Sequence, residues 1–329
     1  MKKLINHPEY VVQEMIEGMA LAHPQIVKKL PDTHVLVRAD LSKEKVALVS
    51  GGGSGHEPSH GGFVGTGMLD AAVAGEVFTS PTPDQLLAAI KAVDRGKGVL
   101  LVIKNYSGDV MNFEMAMELA EAEGIQVKKV IVDDDVAVKN STYTVGRRGI
   151  AGTVFVHKIA GALAEQGASL DEVQKVAEKV ISRVRSMGMA LSPCTIPAVG
   201  KPGFEIGEDE MEMGMGIHGE PGIDRTKIAS ADEVASTLVS YILEDMPCRE
   251  GERVAVMING LGATPLMELY IVNRKVAKLL QEKQIQVHKT FVGEYMTSLE
   301  MAGCSVTLLK LDDQLTELLD APAQTIAWS

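Results

Sequence analysis

Residues 51–62 read GGGSGHEPSHGG, placing six glycines and two histidines directly after the apolar run Val46–Ser50. A strand that opens into bare backbone of this kind lets something small approach closely. Phosphate-binding loops share the glycines but add a lysine, and here no Lys or Arg follows until Lys91. The loop offers imidazole instead, at His56 and His60, beside the carboxylate of Glu57. That chemistry is proton handling on a small polar molecule. A dinucleotide fingerprint fails, because Pro58 stands where its third glycine belongs. A zinc motif on a helix fails too, since Pro58 breaks the spacing between His56 and His60.

Three further places carry reactive side chains. Lys104 and Asp109 bracket Asn105-Tyr106-Ser107-Gly108, at the end of the most apolar strand in the chain. They read either as a surface ion pair or as ligand contacts at a strand's carboxyl end. Asp133–Asp135 could offer oxygen ligands to Mg²⁺, but consecutive acids rarely point one way, so a solvated turn or helix cap is expected. His218 lies between Gly216 and Gly219 after Met211, Met213 and Met215. It either packs or meets a ligand; the methionines alternate at strand spacing and read as core or dimer contact.

The elements that must position these residues alternate along the first half. Val46–Ser50 is a strand, Asp84–Asp94 a helix, Gly98–Lys104 a strand buried on both faces, and Asn112–Glu123 a helix capped by Asn112. Between them NYSGD (Asn105–Asp109) reads as a loop, and Ile125–Val132 as a strand. Helical stretches follow over Thr153–Gln166 and Leu170–Met187. The second half shows strands at Met211–Ile217, Arg253–Ile258, Gln286–Val292 and Ser305–Leu311, with helices over Ala231–Glu244 and from the glycine turn Asn259–Pro265 to Gln281. This pattern predicts two α/β domains, 1–187 and 188–329, each a largely parallel or mixed sheet flanked by helices.

Composition narrows the partners. A net charge of -12 argues against nucleic acid and anionic membranes, and aromatics at 4% leave little for base stacking. No apolar stretch approaches a membrane span, no signal-peptide segment precedes the polar residues, and three scattered cysteines suit a reduced cytoplasm.

The glycine loop, GEVFTSPTPDQ (Gly75–Gln85), GVLLVIKNYSGDVMNFE (Gly98–Glu114), VDDDVAVK (Val132–Lys139), GRRGIAGTVFVHK (Gly146–Lys158) and the stretch ending GMGIHGEPGIDR at Arg225 resemble the dihydroxyacetone kinase K subunit. The resemblance runs the length of the chain. It implies a homodimer in which His218 holds dihydroxyacetone as a covalent hemiaminal. It implies further that Gly53, Ser54, Gly55 and His56 contact the substrate, and that Lys104 and Asp109 hydrogen-bond its hydroxyls. His56 and Asp109 are both implied proton acceptors, with the division between them open. The chain itself is expected to hold no metal or nucleotide. ADP or ATP with Mg²⁺ is implied on a separate L subunit, recharged by a phosphohistidine M subunit of the phosphoenolpyruvate phosphotransferase system. The alternative is a catalytically silent paralogue that binds the ketone and co-activates a transcriptional regulator.

Overall fold

The computed structural model describes residues 2–138 and 146–329. Lys139, the last residue of the VDDDVAVK segment, lies outside them. The first sheet contains β1 (Val27–Lys29), β2 (Val35–Arg38), β3 (Ala47–Ser54), β5 (Ala71–Val77), β6 (Val99–Lys104) and β7 (Val127–Val132), in the order β1-β2-β5-β3-β6-β7. Strands β5, β3, β6 and β7 run parallel, and β1 and β2 add an antiparallel edge. The short β4 (Gly65–Thr66) lies apart from it. Helices α1 (Val11–Ala22), α2 (Pro83–Val93), α3 (Ser107–Ala122), α4 (Thr153–Glu165) and α5 (Leu170–Arg183) complete the first half.

β6 shows why the apolar run becomes a central strand. Side chains alternate across a sheet. Leu100 and Val102 join a core with Val154, Ile159 and Val173 of α4 and α5. Val99, Leu101 and Ile103 join the opposite core with Leu86, Ile90 and Phe113 of α2 and α3. Each such side chain contributes about 1.5–3 kcal/mol by leaving water. An alternating polar residue would have no water to face, so Val99–Ile103 is apolar and only the terminal Lys104 departs from the run.

The second sheet contains β8 (Val184–Ala190), β9 (Glu210–Met213), β10 (Asp224–Lys227), β11 (Arg253–Gly260), β12 (Gln286–Gly293) and β13 (Gly303–Leu311), in the order β10-β9-β8-β13-β11-β12. Only the β11–β12 pair is parallel. Helices α6 (Ala231–Asp245) and α7 (Leu266–Glu282) pack on it. The chain then returns: α8 (Asp313–Asp320) meets α4, and β14 (Gln324–Thr325) pairs with β4. Among the described residues no helix is long and apolar enough to cross a membrane.

Four sequence expectations differ from the structure. The helix expected through Met187 stops at Arg183, and Val184–Ala190 becomes a strand bonded to β13. A buried strand and a buried helix end share an apolar signature, and sheet pairing decides between them. The helix expected from Asn112 starts at Ser107, so only Asn105 and Tyr106 of NYSGD form the connection and Asp109 occupies the first turn of α3. Asn112 caps nothing; its amide donates to the Pro81 carbonyl at 2.8 Å. The strand expected over Met211–Ile217 ends at Met213, where Gly214 turns at φ +75° and releases His218 into a loop. Asp134 and Asp135 are buried rather than solvated. Asp134 accepts the Ile150 and Gly152 N–H groups at 2.8 Å each, and Asp135 pairs with Arg148 at 2.7 Å.

Candidate active site

The carboxyl end of β3 delivers the glycine loop, that of β6 delivers Lys104, and the turn after β9 brings His218 against both. A cleft of about 440 Å³ forms there, lined by Gly53, Phe78, Ser80, Asp109, His218 and Glu220 among others. Behind it, fully buried, stand His56 and Lys104. Ser54 and Gly55 do not line the cleft. The Ser54 hydroxyl donates to the Gly75 carbonyl at 2.7 Å, and Gly55 N–H donates to Glu57. His60 also turns inward, its Nδ1 lying 3.0 Å from His157 Nε2.

His218 is held by its neighbours from several sides. Its Nδ1 lies 2.7 Å from Glu220 Oε1, and its backbone N–H donates to Oε2 at 2.9 Å. Rings of His56, Phe78 and Tyr106 surround it at centroid distances of 4.7, 5.3 and 4.6 Å, each steeply inclined to it. A carboxylate only accepts, so Nδ1 carries the proton and Nε2 keeps its lone pair. Burial alone would raise the Glu220 carboxyl. Its contacts with His218 and the nearby Arg148 outweigh that and hold it at about 2. Glu220 fits only because residue 216 is glycine: a Cβ there would fall 2.0 Å from Oε2.

His56 obeys the same rule with a different partner. Its Nδ1 lies 2.8 Å from the Thr297 carbonyl, another pure acceptor, which leaves Nε2 bare and without a partner among the described residues. Burial, reinforced by His218 and Lys104, holds this imidazole well below its usual range, so it is neutral at pH 7. The carbonyl is positioned by Asn259, whose amide donates to Met296 O at 2.8 Å while its oxygen accepts the N–H groups of Tyr295 and Met296. Asn259 therefore braces the backbone just before the Thr297 carbonyl that His56 meets.

Lys104 is a buried ammonium with its Nζ unpartnered among the described residues. Asp109 Oδ2 stands 3.8 Å away, too far for a hydrogen bond, and the Tyr106 ring lies 5.2 Å below. Burying a charge with its donors idle costs several kcal/mol. That expense is intelligible when a ligand hydroxyl completes the group. Glycine at position 52 gives Lys104 its room, because a Cβ there would sit 2.9 Å from Lys104 Nζ.

The pattern of the Dak1 domain family matches residues 17–327. The chain belongs to the Dak1 family. Over 329 residues it is 56% identical to the PTS-dependent dihydroxyacetone kinase 1, dihydroxyacetone-binding subunit DhaK, of Listeria innocua, covering all of both chains. The PEP-dependent counterpart of Escherichia coli is 46% identical, with 99% of each chain covered. Among solved structures, the native dihydroxyacetone kinase of C. freundii superposes with a TM-score of 0.93 at 38% identity. It covers 99% of this Dak1 chain, which spans only 60% of that kinase chain. A dihydroxyacetone kinase operon co-activator, Dha-DhaQ, superposes at 0.90 and 38% identity over 96% of this chain and 97% of its own.

Sequence reasoning singled out His56, Lys104, Asp109 and His218, which the structure brings together, and passed over Glu220, Thr297 and Asn259. Glu220 stood two residues from His218 in a segment already singled out, so its signal was available. Thr297 acts through its backbone, which no residue type reveals.

The buried histidines of this Dak1 chain make stability fall with acidity. Burial holds His56 and His60 well below their usual range, and His157 at about 3 with help from Lys104. In the unfolded chain each titrates near 6.5, so below that pH the unfolded state binds more protons. Stability is full above about pH 7.5 and declines as pH drops through 6.5, by up to about 1.4 kcal/mol per pH unit for each ring. Carboxyls raised by burial oppose this: Asp135, pushed up to about 6 against the pull of Arg148, and also Asp134 and Glu57. Calorimetry should show the melting temperature falling from pH 7.5 to 5.5; a level profile would contradict the neutral buried rings.

Proposed function

We propose that this chain is the dihydroxyacetone-binding subunit of a phosphoenolpyruvate-dependent dihydroxyacetone kinase, with His218 as the covalent anchor. The observation that carries the reading is the His218–Glu220 pair, which engages Nδ1 and leaves the lone pair on Nε2 of an imidazole that lines the cleft. In the anchoring step Nε2 attacks the carbonyl carbon and a carbon–nitrogen bond forms. The carbonyl π pair moves to oxygen, which takes a proton from solvent. The positive charge left on the ring faces the Glu220 carboxylate. A reversible bond supplies affinity that so small a ligand could not reach through contacts.

The adduct's terminal hydroxyl then gives its proton to Asp109 or His56 as its oxygen attacks phosphorus. Lys104 is the donor nearest that hydroxyl. The phosphoryl group comes from nucleotide and Mg²⁺ on a separate L subunit, itself recharged by a phosphohistidine M subunit, and the K chain works in the cytoplasm as a homodimer. The co-activator role is less favoured: the binding subunits from L. innocua and E. coli are 56% and 46% identical, against 38% for the co-activator structure.

Crystals soaked in dihydroxyacetone test the reading. Continuous density from His218 Nε2 to the central carbon is the expected result. A free ring beside a non-covalent ligand, or an empty cleft, would sink it.

A further inference from the structure

The loop between β5 and α2 brings Phe78 and Ser80 to the cleft, and it bonds to α3 at two successive turns. The Ser80 hydroxyl donates to Asp109 Oδ1, and the Pro81 carbonyl accepts from the Asn112 amide at 2.8 Å. Residue 108 must be glycine for this approach, since a Cβ there would lie 2.8 Å from Ser80 Oγ. The loop is anchored at its other end as well. Thr79 N lies so near Gly53 that a Cβ on Gly53 would fall 2.5 Å away.

These contacts divide the labour of the two Asp109 oxygens. Oδ1 is engaged by Ser80, whereas Oδ2 is turned toward Lys104 Nζ and the open floor over Gly52. We propose that Ser80 is a positioning residue for phosphoryl transfer: it fixes the Asp109 carboxylate so that Oδ2 alone is presented to the substrate hydroxyl. The proposal rests on the kinase reading above. A carboxylate free to rotate about its terminal torsion would present either oxygen, and proton acceptance demands hydrogen-bond reach and alignment. Ser80 bonds to Asp109, whereas His218 is held by Glu220, so anchoring of the ketone does not need Ser80.

The test uses the full chain with its nucleotide-bearing and phosphohistidine partner subunits, phosphoenolpyruvate and dihydroxyacetone. Ser80→Ala should lower kcat by about 10- to 100-fold, the worth of a hydrogen bond to a charged group. KM and the covalent adduct seen in soaked crystals should be unchanged, and Ser80→Thr, which keeps the hydroxyl, should restore kcat. A Ser80→Ala protein with the kcat of the parent chain overturns the proposal. So does a joint loss of adduct and kcat that threonine fails to rescue, because that marks a merely structural role. A parent chain that neither forms the adduct nor turns over instead overturns the kinase reading.

Discussion

The His218→Ala protein is expected to fold, to form no adduct with dihydroxyacetone, and to lose at least about 10³-fold in kcat/KM, the scale on which a fixed reaction partner acts. Discrimination against glycerol should relax with it, since only a carbonyl carbon can accept the ring nitrogen. Glu220→Gln is the more searching variant. It keeps the ring, its three aromatic neighbours and nearly the same side-chain volume. What it removes is the negative charge beside Nδ1 and the certainty of the tautomer. A glutamine can turn either its oxygen or its NH₂ toward the imidazole, and the second choice puts the lone pair on Nδ1, away from the cleft. Adduct formation should slow by about 10²- to 10⁴-fold, as when an orienting carboxylate is amidated behind a catalytic histidine. Intact-mass spectrometry under native conditions reads both variants; an unimpaired Glu220→Gln adduct would show that the carboxylate does not set the tautomer.

The acid limb of this reaction has a definite sign. The Glu220 carboxyl sits at about 2 in the folded chain, below its usual range. Its contribution is therefore complete above about pH 4.5 and is lost only as pH falls toward 2. Any inflection in adduct formation near neutrality belongs to another group.

How far the residues announced this arrangement depends on which interactions make it. The central strand β6 was legible because burial on both faces leaves a run of apolar residues. The glycine loop was legible because close backbone approach excludes side chains. β5 was not, since Ala71–Val77 is rich in alanine and glycine and owes its strand form to pairing between β2 and β3. The start of α3 was missed for a related reason. Ser107 and Gly108 look like turn residues, and the helix begins there because Tyr106 is extended while its carbonyl accepts the Val110 N–H.

The site itself was legible as a set of reactive side chains but not as a set of directed atoms. His56 and His218 read alike in sequence. The structure separates them by what each Nδ1 meets, a backbone carbonyl 241 positions away or a carboxylate two positions away. Tautomer is a long-range property here. Asp133–Asp135 shows the converse error, because local spacing suggested solvent while Arg148 and the Gly152 turn draw two of the three acids inward.

Those directed atoms lead to the second large effect. Asp109→Asn is expected to leave the adduct intact and lower turnover by about 10²- to 10⁴-fold, the usual range for a positioned proton acceptor. His56 competes for that role, and two observations weigh against it. Its ring centroid lies 4.7 Å from that of His218, which on the proposed reading sets it beside the anchor rather than at the far end of a three-carbon chain. Burial also keeps this ring neutral, so taking up a proton creates a new charge beside the Lys104 ammonium. Asp109 accepts a proton by losing a charge already paired across 3.8 Å with that same ammonium. On the proposed reading, a proton taken by Asp109 leaves Lys104 free to balance charge developing on the substrate oxygen. Turnover measured with partner subunits decides the matter: a normal rate in Asp109→Asn transfers the proton to His56, and a deep loss with the adduct preserved assigns it to Asp109.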